Sequence, residues 1–335
     1  MQPLKRLAEQ TIVITGASSG IGRATARGAA RRGARVVLAA RDAAALTALA
    51  DDIQREGGRA LAMPTDVTVE EEVRALADRA AETFGSIDSW VNNAAVSAYG
   101  AFEQLTTDEF RRVLDVNLFG QVYGCRAALP YLKQQPGGAL ICVGSALSDR
   151  AVQMQSAYCA SKHAVKALTE SLRVELQEAG SGVQVTLIKP SSMNTPLFDQ
   201  AATHMGVKPK PMAPVYDPEL VAQAILYAAE HRTREVVVGG GGKLLTTLES
   251  FAGPLVDRWM VWSGAKGQQT QEPKSDTGPH NLFAPLPGPR RVHGNFSGRR
   301  VSLYTAARLH PRLALTTGAA VGALIGAWQI RRTHE

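Results

Sequence analysis

Short runs of β-branched and aliphatic residues alternate with longer stretches of helical period through the first 240 residues. The short runs predict strands over 11–15, 35–39, 59–63, 87–91, 138–144, 183–189 and 235–239. Between them, apolar positions recurring every three to four residues predict helices near 20–32, 42–56, 69–83, 106–132, 156–179 and 217–230. Val36-Val37-Leu38-Ala39-Ala40 is apolar throughout rather than alternating, as in a strand of a parallel sheet covered on both faces. Regular strand–helix alternation with such strands predicts an α/β fold, a doubly wound parallel sheet forming a single domain over 8–250.

Breaks in the pattern divide the rest. Asp217-Pro218-Glu219 opens a helix with a capping acid, a proline at the first helical position and an early negative charge. Residues 191–216 hold four prolines and three methionines without a period, and a segment of that kind after the carboxyl end of a strand reads as a mobile lid over a ligand, with a plain surface loop as the alternative. A peripheral helix is expected over 251–264 and a Pro/Gly/Arg-rich linker over 265–312. Leu313–Ile330 is then eighteen residues without a charge, bracketed by arginines. As a helix it spans ~27 Å, just short of the ~30 Å hydrocarbon core. It is rich in Ala and Gly, carries Gly318, Gly322 and Gly326 at the spacing that lets membrane helices pack closely, and has Trp328 near one end. Contact with a membrane through 313–330 is one expectation; a soluble helix covering the substrate pocket or a partner subunit is the other.

Composition narrows the class. Of 335 residues, 45% are apolar and 20% charged, the balance of a globular protein rather than a disordered one. The net charge of +7 lies wholly in residues 252–335, with 11 Lys/Arg against 4 Asp/Glu, while residues 1–251 hold 26 of each sign. The body therefore lacks the basic surface that phosphate neutralisation needs, and nucleic acid is not an expected partner. Cys125, Cys142 and Cys159 are odd in number and widely spaced, which excludes a disulfide framework and a metal-ligand set and points to a reducing, cytoplasmic location. Thr11–Thr15 is too short for the apolar core of a secretory signal and runs into a glycine motif.

That motif carries the first chemistry. Thr15-Gly16-Ala17-Ser18-Ser19-Gly20-Ile21-Gly22 falls where the first strand turns into the first helix. Glycines there allow a tight turn and let a pyrophosphate approach the amides of the helix N-terminus. About twenty residues on, where a free ribose 2′-hydroxyl is usually met by an acid, the second strand ends in Ala39-Ala40-Arg41. Arg41 can pair bidentately with a 2′-phosphate, arguing for NADP(H), or stand solvated at the start of the next helix. Asp42 reads as that helix's N-cap. Tyr158 and Lys162, four residues apart, share one helix face, and Ser145 closes the strand thirteen residues before Tyr158.

The T-G-x-x-x-G-x-G turn and this Ser–Tyr–Lys arrangement resemble the short-chain dehydrogenase/reductase family over about residues 8–240. The resemblance implies a Rossmann-like sheet and adds Asn117, in Asp115-Val-Asn-Leu-Phe-Gly120, to the catalytic set of Ser145, Tyr158 and Lys162. It implies coenzyme contacts at Gly16, Ser18, Ser19, Gly20, Ile21 and Gly22, at the adenine-contacting Asp66 and Val67, and at Asn93. Ala95 stands where the family's N-N-A-G turn has glycine, which is tolerated if its φ stays negative. Lys189-Pro190-Ser191-Ser192-Met193-Asn194-Thr195-Pro196 resembles the segment meeting the nicotinamide carboxamide, assigning Met193 and Thr195, with Ser191 in place of glycine. The family habit implies a dimer or tetramer through helices 106–132 and 156–179.

The chemistry suits these residue types. Reducing a ketone leaves an alkoxide to be protonated, while a phenol of pKa ~10 is a poor base for the reverse step. A positive charge ~4 Å away is worth about 4 kcal/mol at an effective dielectric of ~20, so Lys162 is expected to lower the Tyr158 pKa. Tyr158 is then the general acid–base, also contacting coenzyme, and Lys162 holds the nicotinamide ribose as the family implies. Ser145 donates to the substrate oxygen, and Asn117 steadies a water linking Lys162 to solvent. The reading is an NADP(H)-dependent oxidoreductase interconverting a carbonyl and a secondary alcohol, in the reductive direction, on an apolar substrate. Two rivals remain, a nucleotide-sensing or membrane-associated scaffold without turnover and a nucleic-acid binder acting through the basic tail.

Overall fold

The structure is a computed structural model, and it describes residues 3–287 and 290–310. Seven parallel strands form the central sheet: β1 (Thr11–Thr15), β2 (Arg35–Ala40), β3 (Arg59–Pro64), β4 (Ser89–Asn92), β5 (Ala139–Val143), β6 (Gln184–Pro190) and β7 (Glu235–Val238). Their spatial order is β7-β6-β5-β4-β1-β2-β3, so the chain reverses direction between β1 and β4, where a doubly wound sheet opens its binding crevice. The fold is a Rossmann-like α/β sandwich.

Both faces are covered, which is why the strands are apolar without alternation. Ile12, Ile14, Val36 and Leu38 pack on one side against α1 (Gly20–Arg31), α2 (Ala43–Arg55) and α7 (Glu219–Glu230). Val13, Val37 and Trp90 pack on the other side with residues of α3 (Glu70–Phe84), α4 (Thr107–Leu114), α5 (Gly120–Leu132) and α6 (Ser156–Glu178). Each such aliphatic side chain, withdrawn fully from water, contributes about 1.5–3 kcal/mol. Local signals set the helix starts. Asp42 accepts the Ala45 N–H at 3.0 Å, and Thr106 and Glu109 form a reciprocal capping box at α4. Between α4 and α5 the chain makes one π-turn, Asp115–Phe119, centred on Asn117.

The C-terminal region departs from the expected layout. The peripheral helix begins eleven residues earlier than 251, as α8 (Gly240–Ser263), with a non-helical residue at Ala252 two positions before Pro254; proline has no N–H to give and crowds the preceding turn. Residues 265–310 are not a free linker. Gln269–Pro273 pairs antiparallel with Val207–Pro209 of the lid, Leu282 is fully buried in the core, and α9 (Leu303–Leu309) packs beside β7. Backbone bonds and buried apolar contacts replace the hydrophobic period that would have marked these elements in the sequence. The lid is likewise pinned, through Ala202–Thr203 paired with Ala98–Tyr99. The expected apolar helix 313–330 lies outside the described residues, among which no helix is long and apolar enough to cross a membrane.

Candidate active site

The glycine turn sits at the carboxyl end of β1. Gly16 takes φ +67°, and a Cβ there would stand 2.8 Å from the Ala94 Cα, so only glycine lets β1 and the turn after β4 approach. Asn93 holds this turn from behind, its Nδ2 donating to the Thr15 carbonyl at 2.9 Å and the Gly16 carbonyl at 3.3 Å. The first N–H groups of α1 have no acceptor within the helix; that of Gly20 is taken by the Arg291 carbonyl at 3.0 Å, and Ile21 lines the crevice. Ala95 keeps a negative φ, since Met154 is the only non-glycine with positive φ among the described residues. Glycine is not required there.

Beside the turn, Arg41 at the end of β2 lies near two further guanidinium groups, Arg112 and Arg290. Burial lowers its pKa first, and both neighbouring arginines lower it further against the pull of Asp66. Asp66 accepts the Thr68 N–H at 3.0 Å and an Arg112 Nη2 hydrogen at 3.0 Å. Burial alone would raise the Asp66 pKa; these bonds more than reverse that and hold it below the ordinary value. Val67 is buried next to it.

A cavity of about 850 Å³ runs from this arginine cluster past the glycine turn to Ser145, Tyr158 and Lys162. It brings together Gly16, Ser18, Ser19, Gly20, Ile21, Arg41, Asp66, Val67, Asn93, Met193 and Thr195 along one wall. Gly22 and Asn117 stand behind the lining: a Cβ on Gly22 would press on Asn93 Nδ2 at 2.7 Å, and Asn117 is fully buried. The far end is apolar, formed by Tyr99, Val152, Met212 and the α8 residues Leu244, Leu248, Leu255 and Trp259. A crevice with polar amides, cations and an open switch point at one end, and an apolar chamber at the other, fits a phosphorylated dinucleotide placed beside an apolar molecule.

Ser145 follows β5 and its hydroxyl accepts the Leu147 N–H at 3.0 Å. Tyr158 lies in the first turn of α6, with Lys162 one turn on. Lys162 is 1% exposed; its Nζ donates to the Val143 carbonyl at 2.9 Å and stands 5.5 Å from the centre of the Tyr158 ring. The expected lowering of the Tyr158 pKa by Lys162 is not what this arrangement produces. Burial pushes the phenol above its ordinary value, with a bond from Ser145 pulling the other way, and burial draws Lys162 down to about 8. Lys162 is walled from water, which disfavours its charged form, whereas Tyr158 is half-buried and lines the cavity.

Asn117 is tied into the fold by its side chain. Its Oδ1 accepts the Val96 N–H at 2.8 Å, and its Nδ2 donates to the Val96 carbonyl at 3.0 Å and to Ser161 Oγ at 3.1 Å. Both Nδ2 hydrogens are used, and one Oδ1 lone pair is left over. Sequence reading missed Arg112, Arg290 and Asn281 around Arg41, and the α8 stripe. The stripe did have a signal, as 244, 248, 255 and 259 recur at helical spacing.

Comparison with known proteins agrees with this geometry. The short chain dehydrogenase family model matches residues 10–206. The chain belongs to the short-chain dehydrogenase family. It is an oxidoreductase, and its substrate is accordingly a small molecule. An uncharacterized oxidoreductase of Bacillus subtilis, YxnA, is 43% identical over 274 residues, covering 81% of this chain and 77% of that protein. Among solved structures, a short-chain dehydrogenase/reductase from Burkholderia phymatum in complex with NAD aligns with TM-score 0.68 at 28% identity, over 76% of this chain and 96% of that one. An alcohol dehydrogenase from the archaeon Thermococcus sibiricus, complexed with 5-hydroxy-NADP, aligns with TM-score 0.61 at 28% identity, over 68% and 95%. Nicotinamide coenzymes thus serve this family in both forms.

Proposed function

We propose that the protein is an NADP(H)-dependent oxidoreductase that interconverts a carbonyl and a secondary alcohol on an apolar substrate, with Tyr158 as general acid–base. One observation carries this reading: Ser145, Tyr158 and buried Lys162 meet in a single cavity, between an amide- and arginine-lined crevice and an apolar chamber. The α1 turn from Gly16 to Gly22 would hold the pyrophosphate, Arg41 the 2′-phosphate, and Asp66 and Val67 the adenine. Asn93 would keep the turn in shape, Lys162 would hold the nicotinamide ribose, and Met193 and Thr195 would meet the carboxamide. When bound, the dinucleotide supplies or accepts hydride.

The protein's own residues handle the proton and the developing charge. A phenol is fully protonated at neutral pH, which suits a donor to the carbonyl oxygen. Ser145 donates to the same oxygen as charge grows on it. Asn117 is a positioning residue that fixes Val96 and, through Ser161, the start of α6. NADP(H) rather than NAD(H) is favoured by Arg41 standing where an acid would meet a free 2′-hydroxyl. Leu248, Leu255 and Trp259 favour an apolar substrate. Exposed Phe119 and Val174, near and on the helices that flank Asn117 and Tyr158, are the surface we assign to self-association.

A panel of ketones and aldehydes, run with NADPH and NADH in parallel, tests the reading. Oxidation of NADPH in preference to NADH, fastest with bulky apolar carbonyls, is the expected result. Tight NADPH binding with no turnover across the panel would overturn it in favour of a binding protein.

A further inference from the structure

The segment expected to be a linker crosses the arginine end of the cavity and is bonded to it at every step. Arg41 donates from Nη1 to the Phe283 carbonyl at 2.9 Å and from Nη2 to the Asn281 carbonyl at 2.6 Å. Arg112 Nε donates to the Leu282 carbonyl between them at 3.1 Å, and Leu282 itself is fully buried. Arg290 Nε donates to Asp42 Oδ2 at 2.7 Å and its Nη2 to the Leu286 carbonyl. Further on, the Arg291 carbonyl accepts the Gly20 N–H at 3.0 Å, at the glycine turn itself. Asn281, Pro285 and Arg290 all line the cavity.

Two features of this strap point to an anionic ligand. Three guanidinium groups, those of Arg41, Arg112 and Arg290, converge here, with the carboxylates of Asp42 and Asp66 as their acidic partners, leaving positive charge in surplus. Arg41 uses two of its five donor hydrogens on the strap, and Arg290 Nη1 has no acceptor among the described residues. Unfilled guanidinium donors lining one end of the cavity match phosphate oxygens, such as the adenosine end of a phosphorylated nucleotide carries.

We propose that residues 280–287, together with Arg290 and Arg291, are a built-in wall of the coenzyme site, and that Arg290 shares with Arg41 the 2′-phosphate of NADP(H). This rests on the NADP(H) reading above. The core alone would leave the adenosine end open at β2; the strap closes it and brings a second cation from 249 residues further along the chain than Arg41.

The test is direct binding to the full chain by calorimetry, with adenosine 2′,5′-bisphosphate and 5′-AMP as probes, on wild type, Arg41→Gln, Arg290→Gln and Arg290→Lys. Wild type should prefer the bisphosphate. Arg290→Gln should weaken it by roughly ten- to hundredfold while leaving 5′-AMP within about twofold, and Arg290→Lys should recover part of the loss. Tryptic cleavage after Arg290 and Arg291 should slow with the bisphosphate and not with 5′-AMP, a readout that wild type supplies even if a variant fails to fold. No preference in wild type would sink the NADP(H) reading itself. A preference that Arg41→Gln abolishes and Arg290→Gln leaves intact, or cleavage unaffected by the bisphosphate, would overturn the strap proposal while leaving that reading standing.

Discussion

Lys162 donates its ammonium to the Val143 carbonyl at 2.9 Å, tying α6 to the end of β5 two residues before Ser145. The bond replaces only part of the hydration that burial removes, so the Lys162 pKa falls from 10.5 to about 8. The sign follows from linkage. Below about pH 8 the folded protein carries this buried charge at a penalty of roughly 3 kcal/mol, and the penalty fades as pH rises toward 10.5. Replacing Lys162 with Met should therefore abolish turnover yet leave the protein as stable as wild type or more so at pH 7. Urea unfolding at pH 7 and pH 10 checks this; the advantage of the Met variant should shrink at the higher pH.

Tyr158→Phe removes one hydroxyl and little else. If Tyr158 is the general acid, kcat should drop by about 10²–10⁴-fold, with the coenzyme dissociation constant changed by no more than a few fold. Single-turnover kinetics beside equilibrium binding separate the two, and undiminished turnover would remove Tyr158 from the mechanism.

Asn117→Ala, in the π-turn, strands the buried Val96 N–H and carbonyl in the loop after β4. Each orphaned group costs about 1–3 kcal/mol, so the variant should lose a few kcal/mol in denaturant unfolding. Its residual activity should fall mainly in kcat, because the displaced Ser161 and Tyr158 share one helical turn.

His204 ties three segments together, its Nε2 on Glu109 of α4 at 2.9 Å and its Nδ1 on Asp276 of the C-terminal segment at 3.2 Å. Burial lowers its pKa, but these two carboxylates more than reverse that and raise it. A raised histidine pKa stabilises fully below the unfolded value near 6.5, and the contribution disappears as pH rises through the folded one. The stability difference between wild type and His204→Ala should be larger at pH 6 than at pH 9 in urea titrations; a constant difference would mean that His204 is not charged.

All seven strands of the sheet were legible to within about two residues, because strands buried on both faces leave long apolar runs and Gly16–Gly22 punctuates the first crossover. Ser145, Tyr158 and Lys162 were legible because local order fixes their spacing. Their electrostatics were not: spacing says that an ammonium and a phenol share a helix face, but the Val143 carbonyl and the depth of burial decide their protonation. Arg290 and Asn281 were illegible for another reason. Their segment has no hydrophobic period, since it is held by backbone carbonyls meeting arginine side chains, and nothing local at residue 290 refers to residue 42. Leu313–Ile330 lies outside the described residues.

Arg41 meets Phe283 across 242 positions of sequence, and Asp42 meets Arg290 across 248. During synthesis the end of β2 leaves the ribosome some 240 positions before the residues that roof it. A chain cut short before Asn281 can thus build its sheet and present Tyr158 without that roof. On the reading proposed above, such a truncation should betray itself first as a leaky cofactor rather than as an unfolded protein.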